Sequence, residues 1–389
     1  MVYGNETKND FTYESLVELI QTNKLQSVES VIPRLPLAMR SSFTLVHDSF
    51  SLQKSNAMFP RAILFGKDAK LTCTFGGHEK LEGFDTLECF QFRDATNTFD
   101  FREIEFPSKD NNLTAPIFSK PNSRARGEMK CTACHGADPR PNWENYFTWP
   151  GVYGTVDDSF AVINSRVTPT QEKNLAQLRE AFLNFKKNYQ ESPRYKNLIF
   201  AESDFSPYSA ERGPLDLTKQ PNTHLTLEVS KLTALRNTRL LRQLPLLEQY
   251  KFLGAMGECI NLSEAQMLAP HFSTFEWTPA FRDLDPKCKD CNHFRVIKYE
   301  YLNGLSYLNF IVAAHLIQQL VKDGELTQNF EDEVVVDASF PSYYPTSIKY
   351  SNFLKEIVHP KVIDQQKLKL SCDVIEKKID FYQKLTGKE

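Results

Sequence analysis

The sequence predicts an α+β protein, and three observations support this fold class. Segments in which apolar and polar residues alternate are concentrated between residues 43 and 106, the pattern of antiparallel strands. Longer segments with apolar residues at helical spacing follow residue 168. A loop-rich segment between the two holds the most specific motif of the chain. We therefore expect an N-terminal antiparallel β-rich region, a central attachment loop and a mainly helical C-terminal part.

The first 40 residues are predicted to form an N-terminal helical segment. Thr12 is a suitable helix cap, and Leu16, Leu19 and Ile20 follow it on one side of a helix. We assign residues 1–40 to this segment, 41–126 to the β-rich region and 127–389 to the attachment segment with the helical region.

The β-rich region is predicted to be an antiparallel meander or a small sandwich. A hairpin centred near Leu81 would place Cys73 opposite Cys89, within disulfide reach across two strands. The polar segment 107–126 that follows is predicted to be a loop and a boundary. The predicted strands lie within Phe43–Asp48, Arg61–Phe65, Leu71–Phe75, Leu87–Phe92 and Phe99–Phe106.

The motif after this loop is Cys-Thr-Ala-Cys-His, in which Cys131 and Cys134 precede His135. C-x-x-C-H is the attachment signal of a c-type haem. Two thiols bond to the two vinyl groups of one porphyrin, and the imidazole binds the iron as the proximal ligand. The sequence therefore predicts one covalent haem c per chain. A disulfide or redox pair, and half of a zinc site, are the alternatives.

Aromatic residues follow the motif closely. Trp143 and Trp149 are two of the three tryptophans in the chain, and Tyr153 comes shortly after them. Flat apolar side chains are suitable walls for a planar cofactor, so we expect these three residues to line the haem pocket. An ordinary aromatic loop core is the alternative.

The sixth iron ligand is left open by the sequence. A methionine ligand raises the reduction potential, whereas an open position admits small oxidants. The candidates are His315, on the apolar side of a predicted core helix, and the methionines Met256 and Met267. Each of the three is also explained as an ordinary core residue.

The C-terminal part is predicted to be mainly helical. Thr168 caps one helix with Pro169 in its first turn, and a second helix runs from about His224 to Gln243 and ends before Pro245. The longest helix is expected over 295–322 and the last over 363–385.

Composition excludes some partners and favours an oxidising compartment. The net charge of -3 is spread along the chain, so nucleic acid is not an expected partner. No run of about 18 apolar residues predicts a membrane span. Six of the eight cysteines lie outside the haem motif, and this even number fits disulfides in a periplasmic or secreted protein. The chain begins without a signal peptide, which we expect to have been removed.

A second C-x-x-C, formed by Cys288 and Cys291, has no histidine directly after it. It is therefore not a second haem signal. It could form a tight disulfide or join the first pair in a four-cysteine zinc site, although the pairs lie far apart in the sequence.

Several segments resemble a group of largely uncharacterised exported bacterial proteins that carry a single haem c motif. The similarity lies in the motif with Gly136 after it, in the segment from Trp149 to Asp158, and in the segments Phe59–Ala69 and Pro221–Leu232. The resemblance implies an exported monohaem, cytochrome c-like protein and implies no particular reaction. Standard small cytochromes c carry their motif near the N-terminus of a small helical domain, so that fold is not expected here.

The expected function is electron transfer or redox chemistry at the covalent haem, with a redox partner protein or a small oxidant as partner. Whether the chain is an enzyme, such as a haem-dependent oxidoreductase, stays open. One alternative is a haem-based sensor or binding module without turnover. Another is a haem-free structural protein with disulfides or a zinc site formed by four cysteines. Oligomeric state is not predicted.

Overall fold

We describe a computed structural model of the chain. The description covers residues 11–49, 51–109, 111–125, 131, 135, 138–141, 152–153, 169–200, 221–256, 259–260, 312–313, 315–326 and 372–387. An antiparallel sheet lies in the N-terminal half and helices follow it, which confirms the predicted α+β class.

The N-terminal segment is helical, as predicted. Helix α1, Tyr13–Thr22, begins after Thr12, whose side chain accepts a hydrogen bond from the Ser15 amide. Leu16 and Ile20 are buried on one side of this helix. Three shorter elements follow: helix α2 at Val28–Val31, a 3₁₀ turn at Ile32–Arg34 and helix α3 at Leu37–Ser41.

The β-rich region is a six-stranded meander in which each strand pairs antiparallel with the next along the chain. All five predicted strands are present. A sixth, β6, pairs with β5 inside the segment predicted to be only a loop, because two apolar residues there extend the sheet edge. The strands are β1 Phe43–Val46, β2 Arg61–Leu64, β3 Leu71–Phe75, β4 Thr86–Arg93, β5 Thr98–Glu105 and β6 Ile117–Phe118.

The predicted cross-strand disulfide is confirmed. Cys73 on β3 is the register partner of Cys89 on β4, and the two form a disulfide with Cα atoms 4.1 Å apart. Both lie on the sheet face that packs against α1 to α3, where apolar side chains form a continuous core. Side chains alternate across a strand, so the opposite face carries a different set of residues.

Two of the helices predicted after the sheet are confirmed, and the predicted helices at 295–322 and 363–385 lie partly outside the described residues. Helix α4 is Pro169–Asn188, followed by a 3₁₀ turn at Tyr189–Glu191, and helix α5 is Pro221–Arg242. Helix α6, Leu246–Met256, was not predicted. Residues 312–313 and 315–322 are helical, and helix α7 is Cys372–Thr386.

The chain divides into two compact units. The first contains Met1–Arg140 with Phe147–Val229, and the second contains Pro141–Tyr146 with Ser230–Glu389. The boundaries predicted at residues 40 and 126 stay a prediction.

Within the second unit α6 packs on α7. The rings of Tyr250 and Tyr382 stack with centroids 5.8 Å apart, and a Cys259–Cys372 disulfide joins the chain after α6 to the start of α7. Among the helices of the described residues, none has both the length and the apolar character to cross a membrane.

Candidate functional site

The candidate site is the segment that carries Cys131 and His135 together with the face of the sheet beneath it. The amide of His135 donates a hydrogen bond of 3.0 Å to the Cys131 carbonyl, which closes one helical turn. In such a turn, positions i, i+3 and i+4 share a face. The spacing of Cys131, Cys134 and His135 is this pattern, although Cys134 itself lies outside the described residues.

His135 is held by its ring and by its backbone. Its Nδ1 lies 2.8 Å from the backbone oxygen of Arg140, and its carbonyl accepts from the Arg140 amide at 3.3 Å. Because a carbonyl oxygen only accepts, the hydrogen bond assigns the proton to Nδ1 and leaves the lone pair on Nε2. Burial lowers the pKa of His135 to about 4, so the ring is neutral at pH 7.

The ring of His135 stacks on Phe101 of β5, with centroids 4.0 Å apart and planes 24° apart. Phe101 belongs to a cluster of four buried phenylalanines on two neighbouring strands. Register places Phe90 opposite Phe101 and Phe92 opposite Phe99, and ring centroids within the cluster are 5.0 to 5.7 Å apart. The imidazole therefore lies at the edge of an apolar aromatic surface, the kind that lines cofactor sites.

Two ion pairs lie on the same sheet face, two residues along the strands from the Phe90–Phe101 pair. Register places Thr74, Glu88 and Glu103 side by side on β3, β4 and β5. Arg61 lies 3.0 Å from Glu88, and Arg124 donates two hydrogen bonds to Glu103. These pairs bring positive and negative charge close to the motif segment.

Cys131 is a free, half-buried cysteine beside these charges. Burial raises the pKa of its thiol to about 11, and the charges of Glu103 and Glu88 act in the same direction. The thiol is therefore protonated at neutral pH, so Cys131 is not an activated nucleophile.

Tyr153 lies at the other side of the sheet. Its amide donates to Leu45 on β1, its hydroxyl donates to the Ala57 carbonyl, and its ring packs 4.5 Å from Phe182 in the core. Four strand spacings, roughly 19 Å, separate β1 from the strand on which His135 stacks. This placement gives Tyr153 a structural role, and its role as a pocket wall stays a prediction. Trp143 and Trp149 lie outside the described residues.

The candidates for the sixth ligand belong to the second unit. His315 lies in the helical residues 315–322, and burial lowers the pKa of its ring, opposed by a hydrogen bond with Gln318. Met256 is the last residue of α6. Met267 lies outside the described residues, and the choice among the three stays a prediction.

The zinc alternative depends on residues that are not described. Within the described part of the chain, no group of three or more histidine, cysteine, aspartate or glutamate side chains could hold a metal ion. Cys134, Cys288 and Cys291 lie outside that part.

The residues that position His135 were not among those predicted from the sequence. Arg140 acts through its backbone carbonyl, which no side-chain motif reveals. Phe101 had a usable signal: the alternation in β4 and β5 defines the hairpin register and thus the aromatic face. Glu88 and Glu103 could have been found from the same register.

No protein-family model, curated protein or solved structure matches this chain significantly. The function is therefore inferred from the residues of the site.

Proposed function

We propose that this chain is an exported, monohaem cytochrome c-like protein that carries out electron transfer or redox chemistry. Cys131 and Cys134 would hold one haem c covalently, and His135 would be the proximal iron ligand. We further propose that the chain belongs to the exported bacterial group that its motif segments resemble. Haem c, when bound, supplies an iron that exchanges one electron at a time.

One observation carries the proposal: the Nδ1 of His135 lies 2.8 Å from the Arg140 carbonyl. A histidine that binds a metal through one ring nitrogen usually donates the other N–H to a carbonyl, carboxylate or water. This hydrogen bond fixes the tautomer and the ring orientation before any metal binds. The low pKa of His135 adds that the imidazole needs no proton loss to become a ligand.

The surroundings of the motif also fit a haem. The helical turn from Cys131 to His135 suits the spacing that two thioether bonds and one axial ligand require. The aromatic cluster beside His135 provides an apolar wall that would limit water at the proximal side. The protonated state of Cys131 suits an anchor rather than a reactive thiolate.

An extracytoplasmic location is part of the proposal. Two disulfides, Cys73–Cys89 and Cys259–Cys372, form within the described residues. Disulfides persist in oxidising compartments, where haem c is also attached. Periplasmic or secreted location is compatible with both features.

The direct test is a pyridine haemochrome spectrum of the chain exported together with haem-attachment machinery. We expect a c-type spectrum with one haem per chain, and its loss in a Cys131→Ala, Cys134→Ala double variant. The matched control is Cys288→Ala, Cys291→Ala, which removes the other C-x-x-C and should retain the haem. Wild-type protein without haem would contradict the proposal and favour the disulfide or zinc alternative.

A further inference from the structure

Two acidic side chains, Glu103 and Glu88, lie on the sheet face beneath the motif segment, and they differ in hydrogen bonding and in exposure. Glu103 is on the same face of β5 as Phe101, two residues along the strand and thus roughly 7 Å away. Glu88 is the cross-strand partner of Glu103. Both carboxylates therefore lie on the sheet face on which His135 stacks, and their charges raise the pKa of the Cys131 thiol.

Glu103 is fully engaged. Its oxygens accept hydrogen bonds from Arg124 Nε at 3.2 Å, from Arg124 Nη2 at 2.9 Å and from the Ala125 amide at 2.8 Å. Acceptance from three donors is the pattern of an ionised carboxylate. Only 5% of the Glu103 side chain is exposed, so this carboxylate is also shielded from water.

Within the described residues, Glu88 forms one ion pair, and its partner is shared with other groups. Arg61 Nη2 donates to Glu88 at 3.0 Å and to Thr74 at 2.7 Å, while Arg61 Nε donates to Gln53 at 2.9 Å. A quarter of the Glu88 side chain is exposed, which allows proton exchange with water. Among the residues that the structure describes, side-chain donors reach one of the two carboxylate oxygens of Glu88.

The surroundings of Glu88 raise its pKa above the usual range of a glutamate, although the carboxylate stays within ion-pair distance of Arg61. Burial is the largest effect and raises the pKa of Glu88, and the charge of Glu103 raises it further. Arg61 and Arg124 act in the opposite direction, and the exposed Glu82 in the β3–β4 loop adds a smaller increase. Cys131 and His135 face the site from the motif segment, and both are uncharged at neutral pH.

We infer that Glu88 is the proton acceptor that accompanies electron uptake at this site, an inference that depends on the proposed haem. The electron comes from a one-electron donor and the proton from water. One O–H bond forms on the Glu88 carboxylate, and no bond of the chain breaks. An added negative charge near a carboxylate raises the pKa of that carboxylate, so electron uptake favours proton uptake and proton uptake favours electron uptake. Reoxidation releases the proton.

The test is a redox titration of the haem-loaded full chain at a series of pH values. In the wild type we expect the reduction potential to fall as pH rises through the range in which Glu88 loses its proton. In Glu88→Gln we expect a flat profile. The matched control is Glu82→Gln, whose carboxylate is exposed and contributes least to the charge at Glu88, and it should retain the wild-type slope.

A second readout identifies the group that takes up the proton. In a reduced-minus-oxidised infrared difference spectrum, the carbonyl stretch of a protonated carboxylic acid should appear in the wild type and in Glu82→Gln. It should be absent in Glu88→Gln. If Glu88→Gln does not fold, Glu88→Asp is the substitute. The pH range in which its reduction potential changes and the pH range in which its infrared band appears should then shift by the same amount.

The outcomes separate the two proposals. Absence of haem in the haemochrome spectrum overturns the proposed function and this inference with it. A bound haem whose potential does not change with pH overturns this inference alone. The inference also fails if Glu88→Gln keeps the slope or if the slope is lost only in Glu103→Gln.

Discussion

The identity of His135 as a candidate ligand was predictable from the motif, whereas the contacts of its ring were not. The sequence identifies the residue and its neighbours Cys131 and Cys134, because the chemistry of haem attachment requires these residue types at this spacing. The contacts that orient the ring were not predictable in the same way. The Arg140 carbonyl is a backbone group in the loop after His135. Phe101 contacts His135 because the chain folds back onto the sheet.

The lowered pKa of His135 predicts an acid-dependent loss of stability in the haem-free chain. The folded ring binds a proton only near pH 4, whereas the unfolded ring binds one near its usual value of 6.5. The unfolded state therefore takes up protons first, and the free energy of unfolding falls as pH drops through this window. One histidine contributes at most about 1.4 kcal/mol per pH unit.

Urea unfolding of the haem-free chain between pH 8 and pH 4 tests this prediction. His135→Phe keeps a ring against Phe101 and cannot take up a proton, so its stability should depend less on pH in the window. Glu14 acts at lower pH, because a hydrogen bond from Arg93 holds its pKa at about 2. An identical pH slope in wild type and variant would show that His135 is not held neutral.

At the scale of elements, the meander was well predicted because its signals are local. Alternation located five strands, and the symmetry of one hairpin gave the Cys73–Cys89 pair. Helix α6 was missed because Pro245 was interpreted as a helix terminator. Its carbonyl instead accepts from the amides of Glu248 and Gln249, so the proline directly precedes the first turn of the next helix.

Gly77, in the loop after β3, packs closely against the side chain of Tyr195, in the turn that follows α4. A Cβ on Gly77 would lie 1.8 Å from the Tyr195 hydroxyl, which donates to the Pro60 carbonyl at 2.7 Å. Gly77→Ala should therefore destabilise the chain by about 2 to 3 kcal/mol, the usual cost of overpacking.

A double-mutant cycle in urea checks that cause. Tyr195→Phe removes the clashing oxygen, so the double variant should lose less stability than the sum of the single variants. Gly76→Ala is the control, because its nearest neighbours would lie at 3.8 Å. Strict additivity of Gly77→Ala and Tyr195→Phe would contradict the clash.

At the scale of the whole molecule, the sequence predicted the order of the β and helical parts but not the long-range pairing of cysteines. Cys259 and Cys372 are separated by 113 positions, and no local pattern links them. Their pairing depends on α6 packing against α7, which is a tertiary event. The domain boundaries were inferred from composition alone and rest on weaker signals.

The two disulfides are expected to differ in their effect on stability. In the chain-entropy model, a loop of 113 residues gives about 5 kcal/mol and a loop of 16 residues about 3 kcal/mol. Cys259→Ala, Cys372→Ala should therefore cost more than Cys73→Ala, Cys89→Ala in denaturant unfolding. The reverse order would mean that packing lost around the buried Cys73 and Cys89 outweighs loop entropy.

The proposed function depends on a covalent bond between haem and each of Cys131 and Cys134. The most direct measurement is mass spectrometry of peptides from the exported chain, prepared with haem-attachment machinery present. We expect the peptide containing residues 131–135 to carry the added mass of one haem, and the peptide containing Cys288 and Cys291 to lack it. A 131–135 peptide that is unmodified, or that contains a disulfide between its own cysteines, would show that these cysteines do not hold a haem.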